Sequence, residues 1–108
     1  MTRTFQYPEF EDAQLHPRYT GIPTFFRTPL QQSAAGLDIA LVGVPFDGGV
    51  TNRPGARHGP REIRNQSSLI RKMNAVTGVN PYALAKIADV GDAWVESPFN
   101  LEQSHQEI

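Results

Sequence analysis

Two apolar runs, separated by a glycine-rich polar stretch, dominate the hydrophobic pattern of the chain. The first covers residues 38–44 and is closed by Pro45, and the second covers residues 84–90 and is followed by Gly91 and Asp92. The first run does not alternate with polar residues, which is typical of a strand buried on both faces of a parallel sheet. The pattern predicts two strands of an α/β fold.

The segment between the two runs predicts a long loop followed by a helix. Residues 46–59 contain four glycines and one proline, and a strand-to-helix loop of this length is usually functional. Pro60 suits the first position of a helix, and Gly78 with Pro81 provides a stop signal. The apolar side chains expected on one helix face are Ile63, Leu69, Ile70 and Met73. Strand, loop, helix and strand together form one βαβ unit.

The predicted domain organisation has two parts. Residues 1–36 read as an irregular arm, because prolines recur too often for a long helix. Its aromatic residues are expected to pack on a larger body; they are Phe5, Tyr7, Phe10, Tyr19, Phe25 and Phe26. Residues 37–108 read as the start of an α/β domain whose next helix begins after Asn100, a good N-cap, and is cut before it is complete. Because two parallel strands do not make a stable sheet, we expect the isolated 108 residues to fold poorly.

Composition narrows the possible functions. The 108 residues carry 10 Lys and Arg against 11 Asp and Glu, a net charge of −1, which argues against general binding of nucleic acid or membrane surfaces. The absence of cysteine excludes disulfides and thiolate metal sites. No apolar stretch is long enough to span a bilayer. These features predict a cytoplasmic chain.

The glycine-rich loop carries the candidate chemistry, because ligands of open α/β sheets bind beyond the carboxyl ends of the strands. We interpret it as a substrate lip in which Thr51 and Asn52 offer neutral hydrogen bonds and Arg53 or Arg57 holds a carboxylate. Alternatively, the glycines form tight turns and the charged groups pair within the protein. The loop matches neither a P-loop nor a dinucleotide-binding motif.

Other ionisable residues suggest less. Asp89 and Asp92 lie at the end of the second predicted strand. They are interpreted as loop-capping and turn-forming residues, with a metal site as the alternative. His58 is expected to be a hydrogen-bonded structural residue, since no histidine has a second ligand at metal-binding spacing. Arg61 and Arg64 oppose the dipole of the predicted helix, so we expect them to have carboxylate partners. These patterns nominate no catalytic residue.

Several motifs together resemble a known family. Residues 42–49 (Val-Gly-Val-Pro-Phe-Asp-Gly-Gly) and 52–64 (Asn-Arg-Pro-Gly-Ala-Arg-His-Gly-Pro-Arg-Glu-Ile-Arg) are similar to the N-terminal signature of the ureohydrolases. This family comprises the arginases, agmatinases and guanidino-acid hydrolases. Residues 21–27 and 65–72 look most like the guanidinopropionase and guanidinobutyrase type within the agmatinase branch. The resemblance extends over about residues 18–101.

The resemblance implies a three-layer α/β/α fold with a parallel sheet, and hydrolysis of linear amidine C–N bonds. It also implies a small guanidino substrate, a trimer or hexamer, and two divalent metal ions, usually manganese, whose bridging hydroxide attacks the guanidinium carbon to release urea. The family's metal-binding motifs (Gly-Gly-Asp-His, Asp-Ala-His-x-Asp and Asp-x-Asp) are not in these 108 residues. No metal ligand can therefore be assigned.

The site prediction is accordingly limited to the substrate-lip candidates Thr51, Asn52 and Arg53. The leading hypothesis is the N-terminal part of a guanidino-compound hydrolase, inactive in isolation because its metal ligands lie elsewhere. The alternative is a non-catalytic interaction module that associates with a ureohydrolase oligomer.

Overall fold

The computed structural model describes residues 17–96 and 98–108. In this part of the chain, two strands and three α-helices form the regular structure. They are β1 (Ile39–Gly43), α1 (Gly59–Gln66), α2 (Pro81–Leu84), β2 (Ile87–Asp92) and α3 (Leu101–Glu107). Short 3-10 turns cover Phe25–Arg27, Ala56–His58 and Ser67–Leu69. The arm aromatics Phe5, Tyr7 and Phe10 lie outside the described residues.

The two strands pair in parallel, as the sequence predicts. Ile39 lies opposite Ile87 and Gly43 opposite Asp92, with an irregularity after Leu41. On the other side of β2, Leu30 forms a parallel bridge with Asp89. The arm thereby pairs with the free edge of β2 over a single residue pair.

The predicted limits of the second strand are wrong at both ends. Leu84 belongs to α2 because Asn80 caps that helical turn, accepting a hydrogen bond from the Tyr82 backbone N–H (3.1 Å). At the other end, β2 continues through Gly91 to Asp92. It does so because the backbone pairing with Gly43 persists beyond the local turn signal.

Helix α1 begins where Pro60 predicts but ends earlier than expected. It stops at Gln66 and tightens into a 3-10 turn. The hydroxyl of Ser68 donates to the Asn65 carbonyl at 2.8 Å, a local bond that competes with helical pairing. Further on, the Asn74 side chain accepts from the backbone N–H of Val76 (2.9 Å) and forms a turn.

The early end of α1 also removes the predicted apolar face. Leu69 and Met73 lie beyond the helix and are exposed. Helix α3 follows the prediction, because the Asn100 side chain accepts from the backbone N–H of Gln103 at 3.0 Å. No helix in residues 17–96 and 98–108 is long and apolar enough to cross a membrane.

The arm contacts the sheet at Phe25, which is 7% exposed and whose N–H donates to Asp89 of β2. Phe26 and Arg27 both adopt left-handed backbone conformations (φ 55° and 58°), each of which costs about 1–3 kcal/mol for a non-glycine residue. Surrounding bonds hold this turn: the Phe26 N–H donates to the Ser67 hydroxyl (2.9 Å), and the Tyr82 hydroxyl donates to the Phe26 carbonyl (2.6 Å). The arm is thus fixed to the end of α1 and to α2.

Apolar burial is small in the described part of the chain. Ala88 in β2 is fully buried, but Ile39 and Val42 of β1 remain 44% and 56% exposed. The expectation of a strand buried on both faces is therefore wrong within these residues, because Ile39 and Val42 point to opposite faces of β1 and both are exposed. An open apolar groove of about 440 Å³ runs beside β1 and α1, bordered by Val42, Val44 and Ile63.

Candidate functional site

The loop between β1 and α1 starts at the carboxyl end of β1 and projects from the sheet. Thr51, Asn52 and Arg53 all lie exposed at its tip. The structure therefore places the three predicted lip residues side by side, where they are open to a ligand. Whether they contact a substrate remains a prediction.

A buried carboxylate closes the base of this loop. Asp47 accepts hydrogen bonds from the backbone N–H groups of Gly55 (2.6 Å) and Arg57 (3.3 Å). Its two carboxylate oxygens also receive the Arg57 guanidinium, with Nε at 3.0 Å and Nη2 at 2.9 Å from Oδ1. The side chain of Asp47 is only 2% exposed, whereas that of Arg57 is half exposed. The carboxylate therefore joins the start of the loop to its end.

This pairing determines the charge state of both side chains. The hydrogen bond from the Arg57 side chain, followed by that from the Gly55 N–H, lowers the pKa of Asp47 from 3.8 to about 2. In turn, the Asp47 carboxylate raises the pKa of Arg57. Both groups are therefore charged at neutral pH, and their hydrogen bonds are charge-assisted.

A second carboxylate cluster lies where the sheet meets α1. Arg64 donates through Nε (2.8 Å) and Nη2 (3.1 Å) to Asp89, and through Nη1 (2.7 Å) to Asp92. The guanidinium also stacks on the ring of Phe25, 4.1 Å from its centroid. The expected carboxylate partner of Arg64 is thus confirmed, and there are two.

Asp89 is the centre of this cluster and is fully buried. Besides Arg64, it accepts hydrogen bonds from the backbone N–H groups of Phe25 (2.9 Å) and Gly91 (2.8 Å). Burial opposes ionisation of Asp89, but the hydrogen bonds from Arg64 and then from these two N–H groups outweigh it and lower the pKa. Asp89 therefore remains an anion that ties the arm, α1 and β2 together.

The interpretation of Asp89 and Asp92 as loop-capping and turn-forming residues is only partly correct. Asp89 does accept a hydrogen bond from the Gly91 N–H two residues on (2.8 Å), but neither residue lies in a loop. Both belong to β2, and Asp92 approaches Gly43 of β1 so closely that a side chain there would collide with its carboxylate and with Pro60. This explains why a glycine ends β1. The sequence predicts Arg64 near the start of a longer helix and therefore in need of an acidic partner, but it does not specify which one. In the shorter α1 that is observed, Arg64 lies in the last turn.

The remaining candidate residues make fewer contacts within the described part of the chain. Of the two arginines considered for a ligand carboxylate, Arg57 is bonded to Asp47, whereas Arg53 makes no ion pair within the described residues. His58 precedes α1 and forms no side-chain cap with it, so the hydrogen bond expected there is not made to the helix end. Among the described residues, no three Asp, Glu or His side chains come together as metal ligands.

Comparison with known proteins identifies relatives of the whole segment. A model of the arginase family matches residues 37–108. The chain is 51% identical over 102 residues to a guanidinopropionase of Pseudomonas aeruginosa, covering 94% of this chain and 32% of the relative. It is 47% identical over 96 residues to a mitochondrial agmatinase of Gallus gallus, covering 89% of this chain and 28% of the relative.

The fold has a solved counterpart as well. The structure of the proclavaminate amidino hydrolase from Streptomyces clavuligerus superposes with a TM-score of 0.79 at 38% identity, covering 84% of this chain and 30% of that one. The described βαβ unit is therefore a portion of an arginase-like α/β fold. The chain spans less than a third of the length of the relatives named here.

Proposed function

The chain belongs to the arginase family, and from this premise we propose that it forms the N-terminal part of a metal-dependent guanidino-compound hydrolase that releases urea. The observation that carries the proposal is the 51% identity to guanidinopropionase across 94% of the chain. The other relatives named above are also hydrolases of guanidino or amidino compounds. Their shared chemistry supports a small guanidino substrate.

The proposal assigns the tip of the β1–α1 loop to the substrate mouth. Thr51 and Asn52 would donate and accept neutral hydrogen bonds, and Arg53 would hold an anionic end of the ligand. Their exposure at the carboxyl end of β1 supports this role, because ligands of open α/β sheets bind at that edge.

The proposal further includes two divalent metal ions, with manganese as the first choice, and a trimeric or hexameric cytoplasmic enzyme. The family's metal-binding motifs do not occur in this sequence, so we assign the ligands to sequence outside these 108 residues. The described residues agree, since no cluster of metal ligands is found among them. For the same reason we expect the isolated chain to be inactive. Residues 1–36 would be an arm and residues 37–108 the start of the catalytic domain.

A chimera tests the proposal directly. This chain replaces the matching segment of the P. aeruginosa guanidinopropionase, and urea release is measured after loading with manganese. We expect the chimera to hydrolyse a guanidino substrate and the isolated chain to release no urea above background. A chimera that assembles like its parent but is inactive would contradict the proposal, and urea release by the chain alone would contradict the expected inactivity.

The lip residues are tested within the active chimera. Thr51→Ala and Asn52→Ala should each lower kcat/KM by about tenfold, because a lost hydrogen bond to a bound ligand is worth roughly 1 kcal/mol or more. Ser68→Ala, which removes an exposed hydroxyl beyond α1, is the matched control. Unchanged kinetics in both lip variants would exclude these residues from the mouth.

The exposed apolar side chains of β1 support a second candidate, a non-catalytic module that binds a ureohydrolase oligomer. Ile39 and Val42 would then pack against a partner. Size-exclusion chromatography of the purified chain, alone and with guanidinopropionase, separates the candidates. A folded 12-kDa species that co-elutes with the oligomer favours the module, whereas an aggregated chain favours the hydrolase segment.

A further inference from the structure

The β1–α1 loop is closed by a single side chain. Asp47 enters the loop, and the N–H groups of Gly55 and Arg57 bond back to its carboxylate eight and ten residues later. Residues 48–54 therefore form a loop whose two ends are held together by Asp47. Thr51, Asn52 and Arg53 lie near the middle of that loop. The fixed base and the exposed tip are parts of one unit.

Two further features show that the closure is built into the loop. Gly55 has φ 142°, a conformation that favours glycine, although a side chain there would meet no atom within 4 Å. The backbone conformation therefore favours a glycine at the position whose N–H donates to Asp47. The Arg57 guanidinium then covers the carboxylate with a two-pronged contact, the geometry that restricts orientation most strongly.

We propose that Asp47 and Arg57 are positioning residues that fix the conformation of the β1–α1 loop and thereby set the affinity of its tip for the substrate. This inference rests on the proposed function of the tip. Asp47 does not need to touch the substrate, since it is buried beneath the loop and all of its described contacts are internal. Arg57 acts through its contact with Asp47.

The physical reason is preorganisation. A loop of seven residues that is free at its base must be ordered when the ligand binds, and that conformational entropy is subtracted from the binding free energy. A loop closed in advance avoids this cost. Opening the loop should therefore raise KM, while kcat at saturating substrate stays close to that of the parent.

The test uses the metal-loaded chimera described above. Asp47→Asn keeps the shape of the side chain but removes its charge and presents an NH₂ group to the guanidinium, so we expect KM to rise by about tenfold with kcat changed less than twofold. Arg57→Met should act in the same direction, and Arg57→Lys should restore part of the affinity. Asp38→Asn is the matched control, because that carboxylate also accepts a backbone N–H, from Lys86 at 2.8 Å, away from the loop.

Amide hydrogen exchange over residues 48–57 provides a readout independent of activity. We expect faster exchange in Asp47→Asn than in the parent, and no change in Asp38→Asn.

An active parent chimera whose Asp47→Asn variant keeps its KM would overturn the positioning role alone. A correctly assembled but inactive parent would overturn the proposed function and, with it, the substrate role of the loop. A fall in kcat and in melting temperature with constant KM would also overturn the inference, because it would indicate a purely structural role.

Discussion

The buried cluster around Asp89 makes a strong prediction about stability. Asp89→Asn changes one oxygen to an NH₂ group and removes the negative charge that faces Arg64. The four donors around this carboxylate are the Arg64 Nε and Nη2 atoms and the N–H groups of Phe25 and Gly91. An asparagine cannot accept from all of them, so at least one donor loses its partner inside the fold.

The magnitude follows from the geometry of the cluster. Removing one member of a buried ion pair costs about 3–5 kcal/mol when the other charge is left uncompensated. Here Arg64 is 14% exposed and keeps its 2.7 Å contact with Asp92, and asparagine retains one accepting oxygen. We therefore expect Asp89→Asn to cost about 2–3 kcal/mol.

This cost is measured by thermal unfolding of the chimera rather than of the chain alone. The described chain buries few apolar side chains, so we do not expect it to unfold cooperatively by itself. A loss of 2–3 kcal/mol corresponds to a decrease in Tm of roughly 5–10 °C, compared at equal protein and metal concentrations. The exposed carboxylate of Asp38 provides the control: Asp38→Asn should lower the unfolding free energy by less than about 1 kcal/mol. Equal Tm values for the two variants would refute the role assigned to Asp89.

The pH dependence supplies a second check on the same variant. Because the folded protein holds the pKa of Asp89 below its ordinary value of 3.8, the carboxylate stabilises the fold above that pH and loses its contribution as the pH falls through the folded-state pKa. The difference in Tm between the parent and Asp89→Asn should therefore be constant near neutrality and shrink below about pH 4. A difference that grows on acidification would contradict this explanation.

Two local predictions follow from the same structure. Gly43→Ala should destabilise the chimera by about 1–3 kcal/mol, measured as a lower Tm, because the added carbon collides with Asp92; Gly59→Ala, which meets no atom within 4 Å, is the neutral control. Asn100→Ala should remove the side-chain oxygen that accepts the Gln103 N–H and cost about 1 kcal/mol of helix stability. The loss should appear as faster hydrogen exchange in α3, and an unchanged exchange rate would exclude the cap.

The sequence predicts those parts of the fold that local signals determine. The apolar run before Pro45 becomes β1, Pro60 opens α1, and Asn100 caps α3. The errors arise where a side chain forms a local bond that the hydrophobic pattern does not contain. Asn80 draws Leu84 into a helical turn, although the apolar run alone favours a strand.

Of the candidate site, the sequence indicates the exposed loop tip but not the ionic contacts that hold the loop. Glycines and polar side chains in the long loop indicated the tip, since such composition is typical of a ligand-facing loop. The contact that closes the loop joins Asp47 to residues up to ten positions away, and the partner of Arg64 is 25 residues away. Such pairs depend on how strand and helix pack, so composition could show that Arg64 needs an acidic partner but could not select Asp89.

The two carboxylate–arginine clusters together explain how a chain with so little apolar burial orders the β1–α1 loop and α1. Asp47 follows β1 and holds Arg57, just before α1, whereas Asp89 lies in β2 and holds Arg64, in the last turn of α1. Ionic contacts thus fasten the loop and α1 to both strands. Arg64 lies in the last turn of α1, where its positive charge is also favourable to the helix dipole. Because Asp47 neutralises Arg57, the positive charge remaining at the tip is that of Arg53. Any selectivity of the loop for an anionic end of the substrate should therefore depend on Arg53, and it should persist in variants that remove the Arg57 charge together with that of Asp47.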